Sequence, residues 1–346
     1  MVDELKRRFG PQVIAVGLAF AAVYLIWGST YLAIRFAIET LPPFLMAGTR
    51  FAVAGALLYA YTRWRGLPTP SRAHWPAAIV VGGLLLLGGN GLLVWAETRV
   101  PSGIAALVIA TVPLWMVLLE AWRPGGTRPG AATVAGLAAG FAGIVLLVGP
   151  GEFAGGGGVD LLGAGVLVIA SISWAFGSLY SRRANLPASP LVGISMEMLA
   201  GGAWLLLAGT LAGEWGRVDL AAVSPRSATA LLYLIVFGSL VGFSSYIWLL
   251  RVSTPARVST YAYVNPVVAL FLGWALAGES LTPRTGLAVA LVLAAVVAIT
   301  TARTAVPADE AARPGAGPRP QARPAPLAAA PAVWVDDPEP TSRRRS

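Results

Sequence analysis

The 346-residue chain is 56% hydrophobic and 12% charged, with a mean hydropathy of +0.71; a soluble domain carries roughly 25% charged residues, and a water-exposed fold this apolar would present large adhesive patches. The net charge of +9 comes almost wholly from arginine, Lys6 being the only lysine, and these arginines sit singly or in pairs at the ends of apolar runs rather than on a basic face interleaved with aromatics, which argues against nucleic-acid binding. The absence of cysteine removes disulfides, thiol nucleophiles, cysteine-ligated zinc and iron–sulfur clusters, and no cofactor is expected.

The apolar residues form long runs, such as Val13 to Ile34 and Ala132 to Val148, instead of the stripes of a soluble helix or sheet. The basic stretch Lys6, Arg7, Arg8 followed by an apolar run resembles a signal peptide, and Ala19-Phe20-Ala21 resembles a cleavage site. The apolar character continues to Ile34, however, so the segment is long enough to span a bilayer and is read as a retained first helix. Breaks carrying Pro, Gly or charge then divide the body into ten predicted spans: 12–34, 43–62, 75–96, 101–122, 130–149, 160–181, 190–212, 227–250, 255–277 and 284–302. The expected fold is an all-α integral membrane protein of ten transmembrane helices, with the lipid bilayer as its main neighbour.

Charge placement tests that count. Lys6/Arg7/Arg8, Arg63/Arg65/Arg72, Arg123/Arg128, Arg182/Arg183 and Arg251/Arg257 fall in alternate loops, while the others hold Arg35, Arg99, Arg217, Arg226 and Arg284 diluted by Glu39, Glu97, Glu152, Asp160, Glu214, Asp219 and Glu279. By the positive-inside rule the first set is cytoplasmic, which places both termini inside an inner membrane. Residues 1–11 are then a cytoplasmic N-terminus and 150–159 a periplasmic glycine-rich linker. The segment 303–346, rich in Pro, Ala, Gly and Arg and poor in large aliphatics, is expected to be a disordered cytoplasmic tail.

The chain also repeats itself. A shift of 147 places Trp27 on Trp174, Arg35 on Arg182, Pro43 on Pro190, Gly55 on Gly202 and Arg50 on Glu197; a shift of 153 places Trp95 on Trp248 and Pro113 on Pro266. Residues 12–149 and 160–302 are thus read as one five-helix unit used twice. Because five is odd, the copies enter the membrane from opposite sides, an architecture of alternating-access transporters with the site where the halves meet.

Against this frame stand Trp27-Gly28-Ser29-Thr30, Arg50-Phe51, Val100-Pro101-Ser102-Gly103 leading to Thr111-Val112-Pro113, Gly140-Phe141-Ala142-Gly143, and Tyr263-Val264-Asn265-Pro266 leading to Gly278-Glu279. In order, spacing and duplication these resemble the EamA domain, whose tandem form defines much of the drug/metabolite transporter superfamily; the likeness is to its bacterial exporter branch and covers about residues 12–302. The resemblance implies two inverted EamA repeats and efflux of small metabolites such as amino acids, or of drugs, driven by an ion or substrate gradient. One departure is that Gly125-Gly126 stands in the first half where the second has Gly278-Glu279.

Tyr24, Trp27 and Tyr31 share a face of the first helix, and the shift of 147 maps that face onto Ser171, Trp174 and Ser178. A polar, aromatic face in both halves is expected of a cavity wall; bundle packing or interfacial anchoring is the structural alternative. Asn90, Thr111, Tyr246, Tyr261 and Asn265 add polar groups within apolar spans, where helix–helix hydrogen bonds compete with substrate binding as the explanation. Pro113 and Pro266 mark hinges or ordinary kinks. Arg50 and Glu197 are ionisable residues deep in spans, where a charge costs at least about 2.5 kcal/mol and marks function by default; they are the candidates for coupling or gating, against a purely structural role. Glu120 and Glu279 are read as interfacial, Gly136 and Gly140 as a close helix contact, and His74 as a lone surface histidine without metal partners.

No P-loop appears, so transport is expected to run without ATP hydrolysis, by proton coupling or exchange of a small-molecule substrate. A membrane-embedded enzyme would need a clustered nucleophile, acid–base pair or metal set, and the scattered carboxylates argue against one. A transporter of lipid or lipid-linked precursors on the same scaffold is the nearer alternative.

Overall fold

The structure, a computed structural model, describes residues 11–100, 105, 108–124, 126, 129–148, 160–277 and 283–301. The expected N-terminal stretch, glycine-rich linker and tail, and the Gly278-Glu279 pair, lie outside these. Helix α1 is Pro11–Ala37, α2 is Pro43–Trp64 and α3 is Arg72–Ala96; α4 is Val112–Trp122 and α5 is Ala131–Val148. Then follow α6 (Leu161–Ser181), α7 (Pro190–Leu211), α8 (Pro225–Val252), α9 (Tyr261–Ala277) and α10 (Pro283–Thr301). Six of them, α1, α2, α3, α6, α7 and α8, are long and apolar enough to cross a membrane. The protein is a multi-pass, all-helical membrane protein.

Local chemistry sets these boundaries. Proline in the first turn starts α2, α7 and α8, where its missing N–H costs nothing and its fixed φ suits the helix. Asp160 caps α6 by accepting from the N–H groups of Leu162 (2.9 Å) and Gly163 (3.2 Å), and Ser224 caps α8 through Ser227 N–H (3.1 Å). The α2 N-terminus is capped from a distance: buried Glu214, just after α7, accepts from the N–H groups of Phe44 (3.3 Å) and Leu45 (2.9 Å). Helices α2 and α7, both 22 residues long, end alike, each followed by a glycine in the left-handed region, Gly66 (φ 67°) and Gly213 (φ 68°), which are 147 apart.

Two expectations need correction. The span 255–277 is broken: a short turn, Pro255–Val258, precedes α9, and the Thr260 hydroxyl donates to the Arg257 carbonyl (2.6 Å) instead of leaving a smooth helix there. In the span 101–122 the described helix starts only at Val112, after a turn at residues 110–111, so Pro113 lies in a first turn and not at a mid-helix hinge. Pro266 does lie inside α9.

Helices α3 and α8 share a feature absent from ordinary spans. Each changes to π-helical hydrogen bonding midway, over Gly83–Gly91 in α3 and Leu234–Phe243 in α8, a wide turn that frequently accompanies functional sites. Packing is also patterned. Helix α2 crosses α7 and α5 packs along α10, while α1 lies against α8 and α9, as α6 lies against α3 and α4. Exchanging each helix with the one five places on leaves this pattern unchanged. The α2–α7 crossing is close because glycines line it: a Cβ on Gly202 would stand 2.6 Å from Ala52 N, and one on Gly55 2.9 Å from Leu199 N. Gly140 of α5 faces the ring of Tyr263, so its close contact is within the chain.

Candidate functional site

Between α1, α2 and α3 on one side and α6, α8 and α9 on the other lies a cavity with about 60 Å³ open to the centres of water molecules, room for several waters or a small solute. Of the residues singled out from sequence, Trp27, Tyr31, Arg50, Asn90, Trp174, Tyr261 and Asn265 all line it. Tyr246 and Ser178 stand behind the wall, Thr111 is turned away, and Glu197 is elsewhere.

The wall is built around four aromatic rings. Trp27 meets Trp174 edge to face (centroids 5.6 Å apart, 78°), Tyr261 likewise (5.0 Å, 82°) and Tyr246 at a tilt (5.0 Å), arrangements favoured by the ring quadrupoles. Hydrogen bonds lock the rings in place. Trp27 Nε1–H donates to the Gly238 carbonyl (3.1 Å), in the π segment of α8, and Trp174 Nε1–H donates to the Tyr246 hydroxyl (2.9 Å), which also bonds Ser178 (2.6 Å). The Asn265 amide nitrogen reaches the carbonyls of Tyr261 (3.1 Å) and Tyr24 (3.2 Å), tying α9 to α1, and the Tyr24 hydroxyl bonds Thr260 (2.6 Å). Thr111 instead accepts from Trp115 Nε1–H (3.0 Å) and donates to the Val108 carbonyl (2.6 Å), bonds local to the start of α4.

Glycine makes room for both tryptophans in the same way. A Cβ on Gly242 would stand 2.5 Å from Trp27 Nε1, and a Cβ on Gly89 would stand 2.5 Å from Trp174 Cε3. Trp27 and Trp174 are related by the shift of 147, Gly89 and Gly242 by that of 153. One construction therefore occurs twice.

Arg50 is 3% exposed. Its Nε–H donates to Ser239 Oγ (2.8 Å), its guanidinium carbon lies 4.6 Å from the Phe51 ring centre, and Nη1 is buried without a hydrogen-bond partner. Gly238 leaves the space it needs, since a Cβ there would stand 2.7 Å from Nη2. Among the described residues no carboxylate lies within 4 Å of it. Glu197 is completely buried, both its carboxylate oxygens lack a hydrogen-bond partner, and the charge it feels is that of Arg251. The Arg251 guanidinium lies over Gly193, one turn before Glu197 on α7.

Around the periphery, charges join elements. Glu120 pairs with Arg123 (2.9 Å) and Arg183 (3.3 Å), linking the ends of α4 and α6, and Arg226 pairs with Glu39 (3.5 Å). The Asp160 carboxyl is held below the ordinary aspartate range by the Gly163 N–H and by Arg99, 3.3 Å away. His74 accepts from Ser71 N–H (3.2 Å), a local cap. Among the described residues no group of three or more metal-ligating side chains gathers.

Sequence reasoning missed Thr30, Phe51, Gly238 and Phe243 of the cavity wall. Phe243 was findable, because the shift of 153 carries Asn90 onto it. Gly238 offers no such signal, since its contribution is an absent side chain.

Comparison with known proteins places this geometry. The model of the EamA-like transporter family matches twice, over residues 13–149 and 161–301. The chain is 41% identical over 305 residues to the uncharacterized inner membrane transporter YedA of Escherichia coli K12, covering 88% of this chain and 96% of that protein. It is 23% identical over 265 residues to the uncharacterized transporter YvbV of Bacillus subtilis 168, covering 77% and 85%. A solved crystal structure shares the fold at a TM-score of 0.67 with 24% identity, over 83% of this chain and 97% of that one. With two matches that together span nearly all of its helical body, the chain belongs to the EamA-like transporter family, and it is a membrane transporter.

Proposed function

We propose that the protein is a secondary active transporter that exports small solutes across a bacterial inner membrane by alternating access around the aromatic cavity. Ten membrane-crossing helices form two inverted five-helix repeats in this reading, with both termini cytoplasmic. The observation that carries it is the doubled tryptophan–glycine construction, Trp27 on Gly242 and Trp174 on Gly89, meeting at one cavity. The exchange-invariant packing of the helices and the matched ends of α2 and α7 support the repeat, and the inner membrane follows the name of the Escherichia coli relative. A site between inverted halves is reached from either side when one half rocks against the other. Arg50 contacts the solute or gates its path. Glu197, buried and unpartnered, is the candidate carrier of a coupling proton, because a carboxyl in such a place exchanges charge only when the surrounding helices move.

The test is flux in proteoliposomes, by counterflow and under a pH gradient, for amino acids, organic acids and cationic drugs. Arg50→Gln and Trp174→Ala should insert normally and slow flux at least tenfold, while Glu197→Gln should leave exchange intact and make net flux insensitive to pH. Wild-type, pH-dependent flux in all three variants overturns the assignment.

A further inference from the structure

Arg50 carries a demand that nothing around it meets. Its guanidinium presents five N–H donors fixed in one plane; Ser239 takes Nε, and Nη1 is sealed from solvent without a partner. Contact with the Phe51 ring offsets part of the desolvation, and no carboxylate of the described residues balances the charge within 4 Å. A buried cation without a counter-ion is among the more expensive arrangements a membrane protein holds. A second demand of opposite kind sits on α3, where the buried Oδ1 of Asn90 lacks a donor. Both residues line the cavity, and the surfaces around them are the rings of Trp27, Trp174 and Tyr261.

We infer that the cavity takes a small organic monocarboxylate with a flat apolar body and one N–H or O–H donor. The carboxylate occupies the open edge of Arg50, the body lies among the three rings, and the donor meets Asn90 Oδ1. One arginine with no second cation at the cavity matches a single negative charge; a phosphate dianion would bring a charge that nothing there neutralises. The inference rests on the transport reading of this cavity and names its substrate class.

Equilibrium binding of radiolabelled 4-hydroxybenzoate to the purified full-length protein tests it, with benzoate, tyramine and p-cresol as competitors. These share the ring and differ in charge or in the hydroxyl. The anion should bind, benzoate should compete roughly fivefold less well, the loss of one neutral hydrogen bond, and the cationic and neutral analogues should be at least tenfold weaker than benzoate. Arg50→Gln should lose roughly 10- to 150-fold, the worth of a hydrogen bond to a charged group, Arg50→Lys should lose less, and Asn90→Leu should lower 4-hydroxybenzoate to the affinity of benzoate without altering benzoate. Tyramine or p-cresol competing as well as the anion, wild-type binding in Arg50→Gln, or no anion binding at millimolar concentration overturns the inference. Should Arg50→Gln not fold, the rank order of competitors and the Arg50→Lys variant decide. Flux separates the two readings: anion binding without transport defeats the transporter assignment alone, whereas transport of amines or neutral solutes without anion binding defeats the substrate class alone.

Discussion

Arg50 and Glu197 occupy positions 147 apart on α2 and α7, helices of equal length that cross on a seam of glycines, yet only Arg50 reaches the cavity. What separates them lies on other helices. Beside Arg50 the π segment of α8 supplies Gly238 and Ser239, one leaving space and the other accepting a hydrogen bond. The shift of 153 carries those two positions onto Leu85 and Leu86 of α3, both fully buried. Hydrocarbon fills in one half what is a polar recess in the other. A doubled scaffold thus yields a one-sided site, and the side is chosen by two residues that touch the charge from across the bundle.

The crossing that holds both charges is the place to break this comparison most severely. Gly202→Val sets a branched side chain against the Ala52 backbone, which cannot rotate aside. Overpacking of this kind costs about 3 kcal/mol, and the fraction of monodisperse protein recovered by size exclusion should fall several-fold; normal recovery would mean that the helices cross elsewhere. The two recesses should then differ in how they fail. Leu86→Ala removes packed hydrocarbon and should cost about 2 kcal/mol, whereas Ser239→Ala strips one hydrogen bond from Arg50 and should cost about 1 kcal/mol. Denaturant unfolding of the two variants measures both, and a larger cost at Ser239 would place the structural weight on the polar side. Asp160→Ala should have the smallest effect. Because the Asp160 value is depressed, its contribution to stability is complete above the unfolded aspartate value of 3.8 and is lost as pH falls through the lower folded one. The gap in unfolding midpoint between wild type and variant should therefore be present at pH 7 and vanish only in strong acid, while a gap that closes near neutral pH would rule out the capping role.

The helices were legible in the sequence because lipid demands long apolar runs, and much of the cavity wall was legible because aromatic and polar residues are conspicuous within them. Trp27, Tyr31 and Trp174 announced themselves in that way, and the internal shift tied the two tryptophans together. The different fates of Arg50 and Glu197 were not legible, since each depends on neighbours contributed by α8 or α3 rather than on its own helix. Glu214 was hidden for a similar reason. In the sequence it is one acidic residue in a loop, and only folding brings it 2.9 Å from the N–H of Leu45, 169 positions away. Thr111 misled because a hydroxyl that bonds its own turn reads the same in sequence as one that faces a cavity.

The wide turns in α3 and α8 alter the arithmetic of those helices. A π turn takes up roughly one residue more than an α turn for little added rise, so side chains beyond Gly91 and Phe243 emerge rotated from where a continuous α-helix would aim them. Each segment behaves as an inherited single-residue insertion, and both halves carry it. Removing one codon at Gly88 would be absorbed by tightening the coil, yet everything from Leu92 to Ala96 would swing by about 100°, turning the side chains at the end of α3 onto a different neighbour. Length variation here is therefore not neutral in the way it is in a surface loop: one residue gained or lost acts as a rotation of half a helix, and the matched insertions keep the two halves turned alike.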